Sequence, residues 1–186
     1  MATGKTIGAL ELSSIGVGYR ALDEMIKAAD VEVLLARTIC SGKYFIVLTG
    51  SVDDVRTAIQ AGMRNADEAV IDNLVLPNVH EGVLPALGQS VVLAGDQAEA
   101  IGVVESFSGT SIIAAADAAA KAARVTLFRV HVAMALGGKG FCLMAGTVGD
   151  CQSAVSAAAA EVRQRGLLVS EVVIARPSKE LFSEYI

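Results

Sequence analysis

The chain has 186 residues, a formal net charge of -5 and 53% hydrophobic residues. That length suits one large domain or two small ones, and an acidic balance without a basic cluster argues against nucleic acid as a partner. Aromatics make up only 4% and tryptophan is absent, so the apolar weight lies in Ala, Val, Leu and Ile, an excess that points to burial between subunits.

In chain order, the alternating Ile7–Leu12 predicts a strand and Ser13 or Ser14 a helix cap. Helical spacing follows over Ala21–Ala29, then a strand over Val31–Ile39 and a tight turn at Cys40–Lys43. Tyr44–Thr49 is the returning strand, ended by Gly50, and Asp53 or Asp54 opens a second helix to about Ala66. A fourth strand, Ala69–Leu76, stops at Pro77; His80–Leu87 predicts a short terminal helix and Gly88–Gln97 a linker. The most apolar long segment, Ser111–Ala123, is interrupted by Asp117 and Lys121 and falls short of the ~20 residues of a membrane span, so no membrane partner is expected. The opening "MATGKTIGALEL" lacks a basic region followed by an apolar core, which argues against a secretory signal.

The chain matches itself at a shift of about half its length. "IGALELSSI" from Ile7 meets "IGVVESFSG" from Ile101, pairing Glu11 with Glu105; "ALDEMIKAADV" meets "AADAAAKAARV", pairing Asp23 with Asp117 and Lys27 with Lys121. "SGKYFIVLTGSVDDVRTAI" from Ser41 meets "GGKGFCLMAGTVGDCQSAV" from Gly137, with a register slip of two residues that makes the second loop longer. A further slip lets "LVLPNVHEGVL" meet "VVIARPSKELF". The expected fold is α+β: two βαββαβ domains related to the ferredoxin-like arrangement, over residues 1–90 and 95–186.

Other motifs carry no chemistry. "GKT" at Gly4–Thr6 lacks the earlier glycine and the preceding strand of a phosphate loop. His80 and His131 have no second ligand at metal spacing, and the repeat accounts for Glu11 and Glu105 without a glycosidase pair. The three cysteines, Cys40, Cys142 and Cys151, are odd in number and irregularly spaced, as expected of cytosolic thiols rather than a disulfide framework. Cys142 lies in an alternating strand and Cys151 at a helix start; both read as packed thiols. No nucleophile–base arrangement stands out, so an enzyme is not expected.

The repeated "IKAADV"/"AKAARV", the "SGK…TGSVDDVRTAI"/"GGK…AGTVGDCQSAV" pair and "VIARP" resemble the bacterial microcompartment (BMC) shell domain, twice over nearly the whole chain. With "RTICSGKYF" and "VHVAMALGGKGF" as the two loops, the chain is most similar to the tandem-domain shell proteins of propanediol-utilisation microcompartments that carry an iron–sulfur cluster. The resemblance implies a homotrimer with pseudo-hexameric symmetry in the shell of a cytoplasmic microcompartment. Its partners would be other shell proteins and encapsulated redox enzymes. It also implies one 4Fe–4S cluster per trimer at the threefold axis, ligated by Cys40 of each copy, for electron transfer across the shell or cluster delivery. Ser41, Gly42, Leu136, Gly137 and Gly138 would line the pore there, and Lys27, Lys121 and Arg176 would lie at the tile edge. Three departures stand out: Leu136 lies opposite Cys40, Ser41 replaces an expected proline, and Asn78 takes the place of Arg176 in the first repeat.

Two alternatives remain open from sequence. Cys40 is an inert thiol in a plain metabolite pore, or the tandem domains form a small-ligand regulatory module. Brown colour in anaerobically purified protein separates the first from a cluster, and sheet assembly at low salt separates a tile from the second.

Overall fold

Seven consecutive buried residues, Thr6–Leu12, make β1 the centre of its sheet. The computed structural model describes residues 5–93, 98–132 and 137–181, and the chain divides into two units. The first holds Met1–Val79 with Ser108–Ser111 and Val132–Lys139; the second holds His80–Phe107, Ile112–His131 and Gly140–Ile186.

The first unit runs β1 (Thr6–Leu12), α1 (Ile15–Ala28), β2 (Glu32–Ile39), β3 (Lys43–Gly50), α2 (Val52–Arg64), β4 (Val70–Leu76). Its strands form an antiparallel sheet in the order β2-β3-β1-β4. Leu10, Leu12, Tyr44, Ile46 and Leu48 of the sheet pack with Met25 of α1 and Val55 and Ile59 of α2 in one core. Burying each large side chain contributes about 1.5–3 kcal/mol. The Ser51 hydroxyl caps α2 by accepting from the Asp54 N–H at 3.1 Å, and Asp53 and Asp54 sit in the first turn where the helix dipole favours them. They follow the cap rather than supply it.

α1 begins at Ile15, well before the helical spacing visible from Ala21. Ser14 caps it by accepting from the Val17 N–H, and Gly16 and Gly18 dilute the apolar pattern of its first turns. Gly18 is buried against Tyr44: a Cβ there would lie 2.4 Å from Tyr44 Cβ.

The second unit runs α3 (Val83–Leu87), β5 (Ala100–Ser106), α4 (Gly109–Ala122), β6 (Thr126–Val132), β7 (Gly140–Gly146), α5 (Val148–Gln164), β8 (Leu168–Ala175), with the first residues of α4 and the end of β6 counted in the first unit. Its sheet order, β6-β7-β5-β8, repeats the first, so each repeat is a βαββαβ α+β fold. Even the irregularity recurs: the pairing slips after Glu11 in β1 and after Glu105 in β5. Ile101, Phe128, Leu143 and Ala145 form a second core cluster. Among the described residues, no helix is long and apolar enough to cross a membrane.

Candidate functional site

Ile39 pairs with Lys43, which leaves Cys40, Ser41 and Gly42 as the tip of the β2–β3 hairpin. Ser41 and Gly42 both take positive φ, 56° and 76°, a conformation that suits glycine and strains serine. The second loop ends in Gly137 and Gly138, also at positive φ. It approaches the hairpin: a Cβ on Gly138 would lie 3.2 Å from Lys43 Nζ and 3.3 Å from Ser41 Oγ. The first unit therefore brings Ser41 and Lys43 against Gly138. Cys40 is half-buried and in no disulfide. Leu136 lies outside the described residues.

The other two thiols are sealed. Cys142 and Cys151 are both 0% exposed. Burial pushes the Cys142 thiol up to about 12. Cys151 also rises, from burial first and then from the charge of Asp150, despite its place at the start of α5. Among the described residues, no group of three or more His, Cys, Asp or Glu side chains could hold a metal ion.

Beside the hairpin lies a buried ionic arrangement around Glu11. Glu11 is 0% exposed. Its Oε1 pairs with Lys43 Nζ at 2.7 Å, and its Oε2 accepts from the Gly109 N–H at 2.9 Å. The Ser108 hydroxyl stands 2.9 Å from Glu11 Oε2 and 2.6 Å from Asp72 Oδ2, so its one hydrogen serves one carboxylate at a time. The Ser111 hydroxyl donates to Asp72 at 2.6 Å. A buried carboxylate persists only when paired and hydrogen-bonded; here a lysine and the N-terminus of α4 supply both. The available signal was a carboxylate and a lysine held at matching places in both repeats, Glu11 with Glu105 and Lys43 with Lys139.

The three basic residues expected at an edge have different surroundings. Lys27 is exposed and pairs with Asp23 one turn earlier, which raises its pKa through that hydrogen bond. Lys121 pairs with Asp117 at 2.6 Å, and Asp117 is buried and also accepts from the His80 N–H. Arg176 is exposed, with φ 50°, beside φ 53° at its repeat partner Asn78. The histidines are built into the second unit: the His80 ring accepts from the Gly82 N–H, and His131 stacks on Phe141.

A family model described as "BMC domain" matches residues 6–79 and again 100–177. The chain is 43% identical over 182 residues to the bacterial microcompartment shell protein PduT of Citrobacter freundii, covering 98% of each. A stretch of 83 residues is 41% identical to the shell protein EutM of Escherichia coli K12, covering 45% of this chain and 84% of that one. A crystal structure of a microcompartment protein from Desulfitobacterium hafniense superposes with a TM-score of 0.85 at 39% identity, covering 96% of this chain and 98% of that one. The chain thus belongs to the BMC domain family of bacterial microcompartment shell proteins and carries that domain twice.

Proposed function

We propose that three copies of the chain close into a shell tile whose central axis carries the Cys40 turns. The role is structural, not catalytic. Tiles meet edge to edge through the surfaces bearing Lys27, Lys121 and Arg176, and join other shell proteins of the compartment wall.

The observation that carries the central reading is the contrast among the thiols. Cys40 alone of the three sits at a loop tip with solvent access, while Cys142 and Cys151 are sealed in the fold. One chain offers one such thiol. Three chains offer three, which suits a 4Fe–4S cluster with one iron left for a non-protein ligand. When bound, such a cluster supplies one-electron transfer, across the shell or to redox enzymes inside. The residues of the chain hold the cysteine in place: Gly42 permits the tight turn, and Ser41, Lys43 and Gly138 brace it.

Cys40→Ala tests this. After anaerobic reconstitution, the wild-type protein is expected to hold iron and sulfide with an iron–sulfur electron paramagnetic resonance signal. Cys40→Ala is expected to lose all three while Cys142→Ser keeps them. Equal iron in the Cys40→Ala protein would overturn the cluster assignment and leave a plain pore lined by Ser41, Gly42, Gly137 and Gly138.

A further inference from the structure

The Cys40 turn is held in a conformation that its own sequence does not favour. Ser41 and Gly42 are successive left-handed residues, at φ 56° and 76°. Glycine enters that region freely, whereas serine does so at a cost. The matching positions of the second loop, Gly137 and Gly138, take φ 62° and 89° with glycine at both. The first repeat instead places a side chain there, directly after Cys40. A residue in so sparsely populated a conformation persists where its surroundings over-determine it.

Lys43 organises those surroundings. It is the first residue of β3 and pairs with Ile39, so it closes the turn. Its ammonium group donates to Glu11 Oε1 at 2.7 Å and to the Gly138 carbonyl at 3.4 Å. Glu11 is sealed from solvent, and the lysine side chain that it anchors keeps little exposure. Gly138 in turn lies against Ser41. The space a Cβ would need on Gly138 is taken by Lys43 Nζ, Ser41 Oγ and Lys43 Cε, at 3.2, 3.3 and 3.4 Å. Glu11, Ser41, Lys43 and Gly138 all belong to the first unit.

We infer that Lys43 is a positioning residue for Cys40: anchored by Glu11, it holds Gly138 against Ser41 and so keeps the turn in the left-handed form that sets the direction of the thiol. The amine acts on the backbone of the turn and not on the sulfur. Glycine is required at position 138 because a side chain there would occupy the place of the lysine amine. This role rests on the reading of Cys40 above as the working thiol of the tile, but it shows in the free thiol as well as in any cluster.

The rate of thiol labelling in the full chain, without iron and near neutral pH, reads the freedom of Cys40, since Cys142 and Cys151 are sealed. Lys43→Met keeps the length and loses the donors. It is expected to label about tenfold faster than wild type, the fold-change of one charged hydrogen bond lost. Lys43→Arg, which keeps the charge and the donors, is expected to label at the wild-type rate. Asparagine enters the left-handed region more readily than serine. Ser41→Asn added to Lys43→Met is therefore expected to restore the wild-type rate while the melting temperature stays lowered, a separation that a merely structural lysine would not show. Gly138→Ala leaves the Glu11 pair in place and pushes the second loop off Ser41. It is expected to speed labelling in the same way, and it decides the matter if Lys43→Met does not fold. Unchanged labelling in Gly138→Ala or in folded Lys43→Met, or an acceleration that Ser41→Asn does not reverse, would overturn the role of Lys43. Wild-type protein that takes up no iron would overturn the cluster reading and leave the labelling comparison standing.

Discussion

Lys43 is the counter-charge of a carboxylate with no solvent of its own. Glu11 is wholly buried, and the Lys43 side chain keeps 16% exposure. Lys43→Ala takes the ion-pair partner from buried Glu11, and the expected loss in unfolding free energy is about 3 kcal/mol, measured by chemical denaturation. Glu11→Gln, which keeps the shape but not the charge, is expected to lose less. The sealed thiols make a prediction that depends on pH. Burial raises the Cys142 thiol from 9.0 to about 12 in the folded protein. Its folded state binds the proton that the unfolded chain releases first, so its contribution is full below about 9 and declines as pH rises from there toward about 12. Cys142→Ala is expected to flatten that alkaline decline in stability. Thiol labelling of the native protein near neutral pH is expected to modify Cys40 alone, and all three cysteines after denaturation.

At the scale of elements, the strands were readable from sequence because their alternation and turn residues agree. Ile7–Leu12, Tyr44–Thr49 and the glycine stop at Gly50 stand within a residue of the observed strands. The start of α1 was not readable, because Gly16 and Gly18 carry no apolar signal and Gly18 is chosen for contact with Tyr44, a neighbour distant in sequence. Gly18→Ala is therefore expected to destabilise the first unit by about 1–3 kcal/mol through overpacking, whereas Gly16→Ala, with open space around its Cβ position, is expected to be neutral or stabilising. The Glu11 arrangement was hidden for a related reason. A single glutamate in an alternating strand looks the same whether it faces water or a helix end contributed from residue 108 onward. The Cys40 turn was legible, since a Gly-Lys pair between two apolar runs marks a hairpin, but its proximity to Gly138 is set by tertiary structure.

For the whole molecule, the edge reading separates the three basic residues. Lys27 and Arg176 are exposed, and an exposed i,i+4 pair contributes little. Lys27→Ala and Arg176→Ala are therefore expected to leave the melting temperature unchanged and to shrink the flat sheets that a tile is expected to form at low salt, as measured by electron microscopy. Lys121→Ala is expected to lower the melting temperature as well, because its partner Asp117 is buried. Undiminished sheets in the triple variant would remove these residues from the tile edge. The central claim, a ring of three copies gathered around the Cys40 turns, has one direct test: native mass spectrometry of anaerobically reconstituted wild-type protein. The account predicts a single species of three chains bearing one four-iron, four-sulfide cluster. Chains found as monomers or dimers, or trimers that take up no iron, would contradict it.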